Sequence, residues 1–231
     1  MSSFTGFPAR GIQFLRDLSE NNNKAWFEAN KPVYIETVQT PAVALVVALG
    51  SALQAHFPEI QYDTRTNGSG SLMRVHRDTR FSADKSPYKT NIAMVFSSGG
   101  KKMEAAGFGL QITLDAGVEM YAGTFGFNKD VLDAYRRAVL DDAQGAALEQ
   151  AVQTITALKG YSIGGETYKR VPAGLDAKHP RAHWLKFTAL HAFPPPLSLE
   201  VAQTPQLVDA IMTHFIAMAP LYQWVNTLMH G

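Results

Sequence analysis

From Gly107 to Leu114 every second residue is large and apolar: Phe108, Leu110, Ile112 and Leu114 alternate with Gly109, Gln111 and Thr113. That is the two-residue period of a strand with one buried face. Asp115-Ala-Gly117 then supplies turn chemistry, and Val118 to Phe125 continues as a second strand, so the spacing predicts a hairpin. A parallel neighbour needs a crossover of a dozen or more residues, which leaves an antiparallel sheet as the only solution here. Ser71–Arg77 alternates as well, as does Asn91–Phe96 with Ile92, Met94 and Phe96 on one face. Both read as strands, and Gly99-Gly100-Lys101-Lys102 reads as a turn that returns the second of them into the strand after residue 104.

Around this sheet the period becomes helical. Residues 10–20 carry Ile12, Leu15 and Leu18 on one stripe and stop at Asn21-Asn-Asn23, where Asn23 can cap the next helix. Pro32 and Pro41 each suit a first helical position and predict consecutive helices, with Thr40 capping the one that runs from Ala42 to Phe57. Asn128 caps a stripe of Val131, Leu132, Tyr135, Ala138 and Val139; Leu148 to Leu158 repeats it, and the two form an αα-hairpin closed by Gly160. Residues 161–197 read as irregular, rich in Gly and Pro. A last helix starts at Thr204-Pro205, and Pro220 is expected to kink or break it. With no internal repeat and no long linker, the expectation is a single α+β domain over residues 1–231. Its antiparallel sheet of about four to six strands is packed by N-terminal helices, the αα-hairpin and a C-terminal helix.

Composition narrows the function classes. A chain of 231 residues buries roughly 70% of its unfolded surface and needs no external staple. The absence of cysteine rules out disulfides, thiolate metal sites and cysteine nucleophiles. A formal net charge of +1 argues against a surface coated for general nucleic-acid binding. The start lacks the basic and apolar segments of a signal peptide, and the apolar run Pro41–Leu49 falls short of the ~20 residues that span a bilayer. The expectation is therefore a cytoplasmic protein with no membrane partner.

Charge is concentrated in Arg74-Val-His-Arg-Asp-Thr-Arg-Phe-Ser-Ala-Asp-Lys-Ser-Pro-Tyr-Lys-Thr90, which holds five of the 21 Lys and Arg residues. Arg74, Arg77 and Arg80 suit bidentate anion binding, Lys85 and Lys89 add point charges, and Tyr88 can stack or donate a hydrogen bond. Strand alternation puts Arg74 and His76 on one face. The preceding Asn67-Gly-Ser-Gly-Ser71 can offer backbone N–H groups to the same anion. In the bland alternative, Asp78 and Asp84 pair with these cations and the stretch merely locks a loop onto the sheet; two acids against five cations weigh against it. A second cluster, Lys169 to Lys186, adds five more cations, including Lys169, Arg170 and Arg181, with a single acid. Two clusters that converge make one basic pocket; two that do not are solvated loops.

Catalytic templates are absent: there is no Gly-x-Ser-x-Gly, Walker loop, His-Glu-x-x-His or Rossmann fingerprint. His179 and His183 stand four apart but lack an acidic third ligand, so no metal and no cofactor are expected. His76 and Asp78 are the candidates for acid–base work, and whether the protein is an enzyme stays open. The expected partner is a small phosphorylated or carboxylated anion. The rival is a nucleic-acid or acidic-protein binding module in which Trp26, Tyr88 and Trp184 stack.

Arg74-x-x-Arg-Asp-x-Arg-Phe-x-x-x-Lys-x-Pro-Tyr-Lys-Thr-Asn91 resembles the signature of a bacterial family of uncharacterised proteins, the domain of unknown function 2461 family. The resemblance extends to Phe14-Leu-x-Asp-Leu18, Asn22-Asn-Lys-x-Trp-Phe27, Lys31-x-x-Tyr34, Lys169-Arg-Val-Pro-x-Gly174 and His179-Pro180. It implies a full-length single-domain member and no activity.

Overall fold

The protein is described by a computed structural model covering residues 3–99 and 105–230. It is an α+β fold with a five-stranded antiparallel sheet. The strands are β1 (Ile92–Ser97), β2 (Gly107–Thr113), β3 (Gly117–Thr124), β4 (Ser162–Glu166) and β5 (Phe187–Phe193), in the order β1-β2-β3-β5-β4. The alternation at 107–125 is realised as β2 and β3 around the Asp115–Gly117 turn. The return expected at Gly99-Gly100-Lys101-Lys102 lies, from Gly100 on, outside the described residues. The chain divides into two compact units, each assembled from three separate segments.

The first unit comprises residues 1–96, 109–119 and 196–213. It opens with α1 (Ala9–Glu20) and α2 (Lys24–Tyr34), and the Asn23 side chain accepts from the Trp26 N–H as the cap of α2. The consecutive helices expected at Pro32 and Pro41 are instead one unbroken helical run, Lys24–His56. Between α2 and α3 (Thr40–His56) the run widens into a π turn at Ile35–Gln39, where the Thr40 N–H reaches back five residues to the Ile35 carbonyl. A proline inside an α-helix clashes with the carbonyl four residues earlier, here Thr37, and the wider turn relieves that clash without ending the helix. Thr40 is accordingly helical and not a cap. Gly11 of α1 lies against the widened turn, where a Cβ would stand 2.3 Å from the Thr37 oxygen. Leu45, Val46, Leu49 and Leu53 of α3 are fully buried, each worth about 1.5–3 kcal/mol. By length and composition this run is long enough to cross a membrane, although 44% of its apolar window is buried inside the protein.

The second unit comprises residues 97–108, 120–195 and 214–231. Here α4 (Lys129–Leu140) and α5 (Asp142–Thr156) form the αα-hairpin, with Asn128 and Asp141 as their caps. Residues 161–197 are not irregular throughout: they contain β4, a 3₁₀ turn at Ala182–Lys186, and β5 paired to β3 and β4. Strand β5, with Phe187, Ala189, His191 and Phe193 on alternate positions, carried a readable signal that the neighbouring prolines masked. Tyr135 is buried on α4 and donates to the Trp184 carbonyl at 2.9 Å. The short helix α6 (Leu199–Ala202) belongs to the first unit, as does the start of the last helix, α7 (Leu207–His230), which from His214 is part of the second unit and continues through Pro220. The carbonyl that loses its partner there belongs to Ile216, an exposed residue, so water can satisfy it.

Candidate functional site

The Arg74–Thr90 stretch folds as an irregular hairpin in the first unit. The strand expected over Ser71–Arg77 is extended backbone that makes only two isolated antiparallel bridges, Leu72 with Met94 and His76 with Tyr88. Backbone bonds flank each bridge: Met73 N–H to Ala93 and Val95 N–H to Ser71 at one, Lys89 N–H to Val75 and Arg77 N–H to Pro87 at the other. The bridges are four positions apart on one side and six on the other. The second side thus carries two extra residues and bulges between Tyr88 and Met94, the device by which sheets re-aim side chains.

Asn22 holds the returning side in place. Its amide donates to the Tyr88 carbonyl at 2.9 Å and accepts from the Tyr88 N–H at 3.0 Å, so one side chain stands in for a neighbouring strand. The Tyr88 ring is buried and stacks on Phe27 at 4.0 Å, with the His76 ring 5.2 Å away. Tyr88 is therefore a fixture of the core and not a free stacking platform. Trp26 packs against Phe14, and Trp184, in the second unit, against Phe187.

The cations of the stretch divide into two kinds. Arg80 forks onto Asp78 at 2.9 and 2.6 Å, and Arg77 pairs with Asp84 while donating to Ser86 at 2.5 Å. The Asp78 carboxyl is held well below the usual range by the Arg80 side-chain and backbone hydrogen bonds. An acid held so firmly ionised is a poor proton acceptor, and it makes no hydrogen bond to His76 among the described residues. Asp84 is lowered to about 2 by the Ser86 N–H first and the Arg77 guanidinium next. Lys85 closes the loop tip on the Thr79 carbonyl at 2.9 Å. Arg74 and Lys89 have no carboxylate partner among the described residues. Lys89 is half-buried, and desolvation, followed by the nearby Arg74 charge, pushes its ammonium pKa down.

These residues border two hollows. The first, about 440 Å³, is lined by Ser19, Asn22, Arg77, Asp84, Ser86, Tyr88, Lys89, Thr90 and Asn91, with the bulge forming part of its wall. The second, about 350 Å³, takes Arg74 and His76 together with Phe27, Tyr34, Gln39 and Asn67. Arg80 and Lys85 line neither. Ser19 and Ser86 were not singled out from the sequence; Asn22, Thr90 and Asn91 stood only among the residues of the resemblance, as site candidates with no role attached. The Asn67–Ser71 loop satisfies itself: Asn67 accepts from both the Ser69 N–H and hydroxyl, at 3.0 and 2.6 Å.

The second basic cluster belongs to the second unit. There Arg181 is committed to the αα-hairpin, meeting Glu149 at 3.1 Å and Asp142 at 3.7 Å and reaching the Asp141 and Asp142 carbonyls. Lys186 pairs with Glu166 at 2.5 Å. Lys169 and Arg170 are exposed, and His179 accepts from the Arg181 N–H. Among the described residues no group of three or more His, Asp or Glu side chains is arranged to hold a metal. A hollow of about 470 Å³ beside Trp224 in this unit is lined without any charged side chain.

Set beside known proteins, residues 10–224 match a family described as conserved hypothetical proteins, domain of unknown function 2461. The chain belongs to that family. No curated protein and no solved structure matches. The DUF2461 match takes in the hairpin, Asn22 and the second cluster alike, and its description names no activity.

Proposed function

We propose that the first unit binds a small phosphorylated or carboxylated molecule in the 440 Å³ hollow beside the hairpin bulge, with Lys89 as its principal cation. The observation that carries this reading is Lys89 itself, a half-buried ammonium with no carboxylate partner among the described residues. Withdrawing a charge from water is unfavourable unless an opposite charge compensates it, and a bound anion supplies that compensation. Arg77 stands in the same wall with two of its contacts fixed by Asp84 and Ser86, so it is oriented before any ligand arrives. Around the two cations, the hydroxyls of Ser19, Ser86 and Thr90 and the Asn91 amide match the oxygen-rich surface of a phosphate or a polar carboxylate.

The reading is one of binding. Neither His76 nor Asp78 lines this hollow, which gives no support to a proton transfer there. The test is a thermal-shift and calorimetric screen of phosphorylated and carboxylated metabolites, with short DNA and RNA as the competing class. Binding should weaken about tenfold or more in Lys89→Met, the scale of one charge-assisted contact. A bound anion should also raise the Lys89 pKa, followed by NMR of the labelled side chain. If no small anion binds, or if Lys89→Met binds as the wild type does, the proposal fails; steeply salt-dependent binding of nucleic acid alone would transfer the site to the rival class.

A further inference from the structure

We infer that the 350 Å³ hollow on the Arg74 side of the hairpin is a second site, distinct from the first, built for a flat, mostly apolar ring that carries one carboxylate. Its construction starts at the π turn. Such turns recur at functional sites because they displace side chains from the ordinary helical face. This one carries both Ile35 and Gln39 into the lining, directly after Tyr34 and about two turns beyond Phe27 on the same helical run. Ile35 is 43% exposed, an apolar surface left open to water at the mouth of the hollow. Phe27 and Tyr34 are buried behind it with ring centres 5.3 Å apart. Burial raises the Tyr34 hydroxyl to about 12, and Gln39 lines the hollow beside it. One side is thus aromatic and aliphatic, with a neutral amide and a neutral phenol at its edge.

The cation of the hollow is Arg74, which interacts with the Asp78 charge but forms no ion pair with it. Arg74 has no carboxylate partner among the described residues. Its aliphatic stem runs along Gly68, where an added Cβ would stand 3.2 Å from the Arg74 Cβ and where φ of +92° favours glycine. The stem is thereby confined while the guanidinium fork remains available for a carboxylate's two oxygens. The other charges at the rim, Lys31 and Glu28, meet at 3.4 Å and cancel. One cation beside a wall that is only partly apolar favours a monoanion over a doubly charged phosphate, and the volume lies at the small end of ligand pockets. The hydroxyl-lined hollow holding Lys89 is the more polar of the two, so the two sites differ in the ligands they favour.

The test is ligand-observed NMR and calorimetry on the intact chain with benzoate and indole-3-acetate, each against its neutral alcohol, benzyl alcohol and indole-3-ethanol. The carboxylates should bind at least about tenfold more tightly than the alcohols, a difference of about 1.4 kcal/mol. Arg74→Gln should bring the carboxylates down to the level of the alcohols. Ile35→Trp, which fills the mouth from an exposed position, should abolish binding of both while leaving the melting temperature within a few degrees. Lys89→Met should leave these affinities within about threefold, which separates this site from the one proposed above. Absence of binding by every probe, equal binding of acid and alcohol, or an Arg74→Gln protein that binds as before would each overturn the inference. An equal loss in Lys89→Met would assign the carboxylate to the first hollow instead.

Discussion

Asn22 shows how much one side chain can settle. It satisfies both backbone groups of Tyr88, a residue 66 positions away, and in doing so fixes where Lys89 begins. Asn22→Ala should destabilise the protein by about 1–3 kcal/mol, the cost of stranding a donor and an acceptor. Asn22→Asp should recover little of that, since a carboxylate cannot donate to the Tyr88 carbonyl; chemical denaturation of the three proteins ranks them. Phe81 lies at the other extreme. It is 95% exposed at the loop tip, with the Arg80 guanidinium 5.8 Å from its ring centre. Phe81→Ser should leave the melting temperature within about a degree, because there is almost no buried area to lose. Asp84, alongside Asp78, makes the hairpin sensitive to acid. Its folded pKa is depressed to about 2, so its contribution is complete above the ordinary carboxylate value of about 3.9 and is lost as pH falls from about 4 towards 2. The stability difference between wild type and Asp84→Asn should shrink across that window in acid-unfolding curves, and a difference constant down to pH 2 would contradict the Arg77–Ser86 clasp.

At the scale of elements, sequence periodicity revealed what repeats. The β2–β3 hairpin, the αα-hairpin and the caps at Asn23 and Asn128 were all legible, because each depends on neighbours a few positions away. What was not legible depended on partners far along the chain. Pro41 read as a helix start because a proline's local rule is to begin a helix; only the packing of α1 on a widened turn shows why it sits inside one. The tight fit makes a prediction: Gly11→Ala should cost about 1–3 kcal/mol by overpacking against Thr37, measured as a shift in denaturation midpoint, whereas alanine in an open helix would stabilise. At the site, the sequence located the charge-bearing stretch but could not divide it. Arg77 and Arg80 look like Arg74 in a string of letters, and only the fold shows that two of the three have carboxylates in hand. Ser19 and Ser86 were invisible because such residues are common everywhere, and Thr90 and Asn91, although part of the family signature, acquire a role only by position.

At the scale of the whole molecule, the outstanding feature is that neither unit is a contiguous stretch. The first needs residues 1–96, 109–119 and 196–213; the second needs 97–108, 120–195 and 214–231. Fragments 1–119 and 120–231, expressed apart, each lack a segment of the unit they chiefly encode and should show no cooperative unfolding by circular dichroism. A fragment that melts cooperatively at the temperature of the intact chain would refute this. The same interleaving has a consequence for biosynthesis. On the ribosome the first unit cannot close before residue 213 has emerged, nor the second before the remainder of α7 follows. For most of its translation up to residue 213 this chain therefore holds its apolar strands and helices unfinished, and its demand on chaperones begins during synthesis.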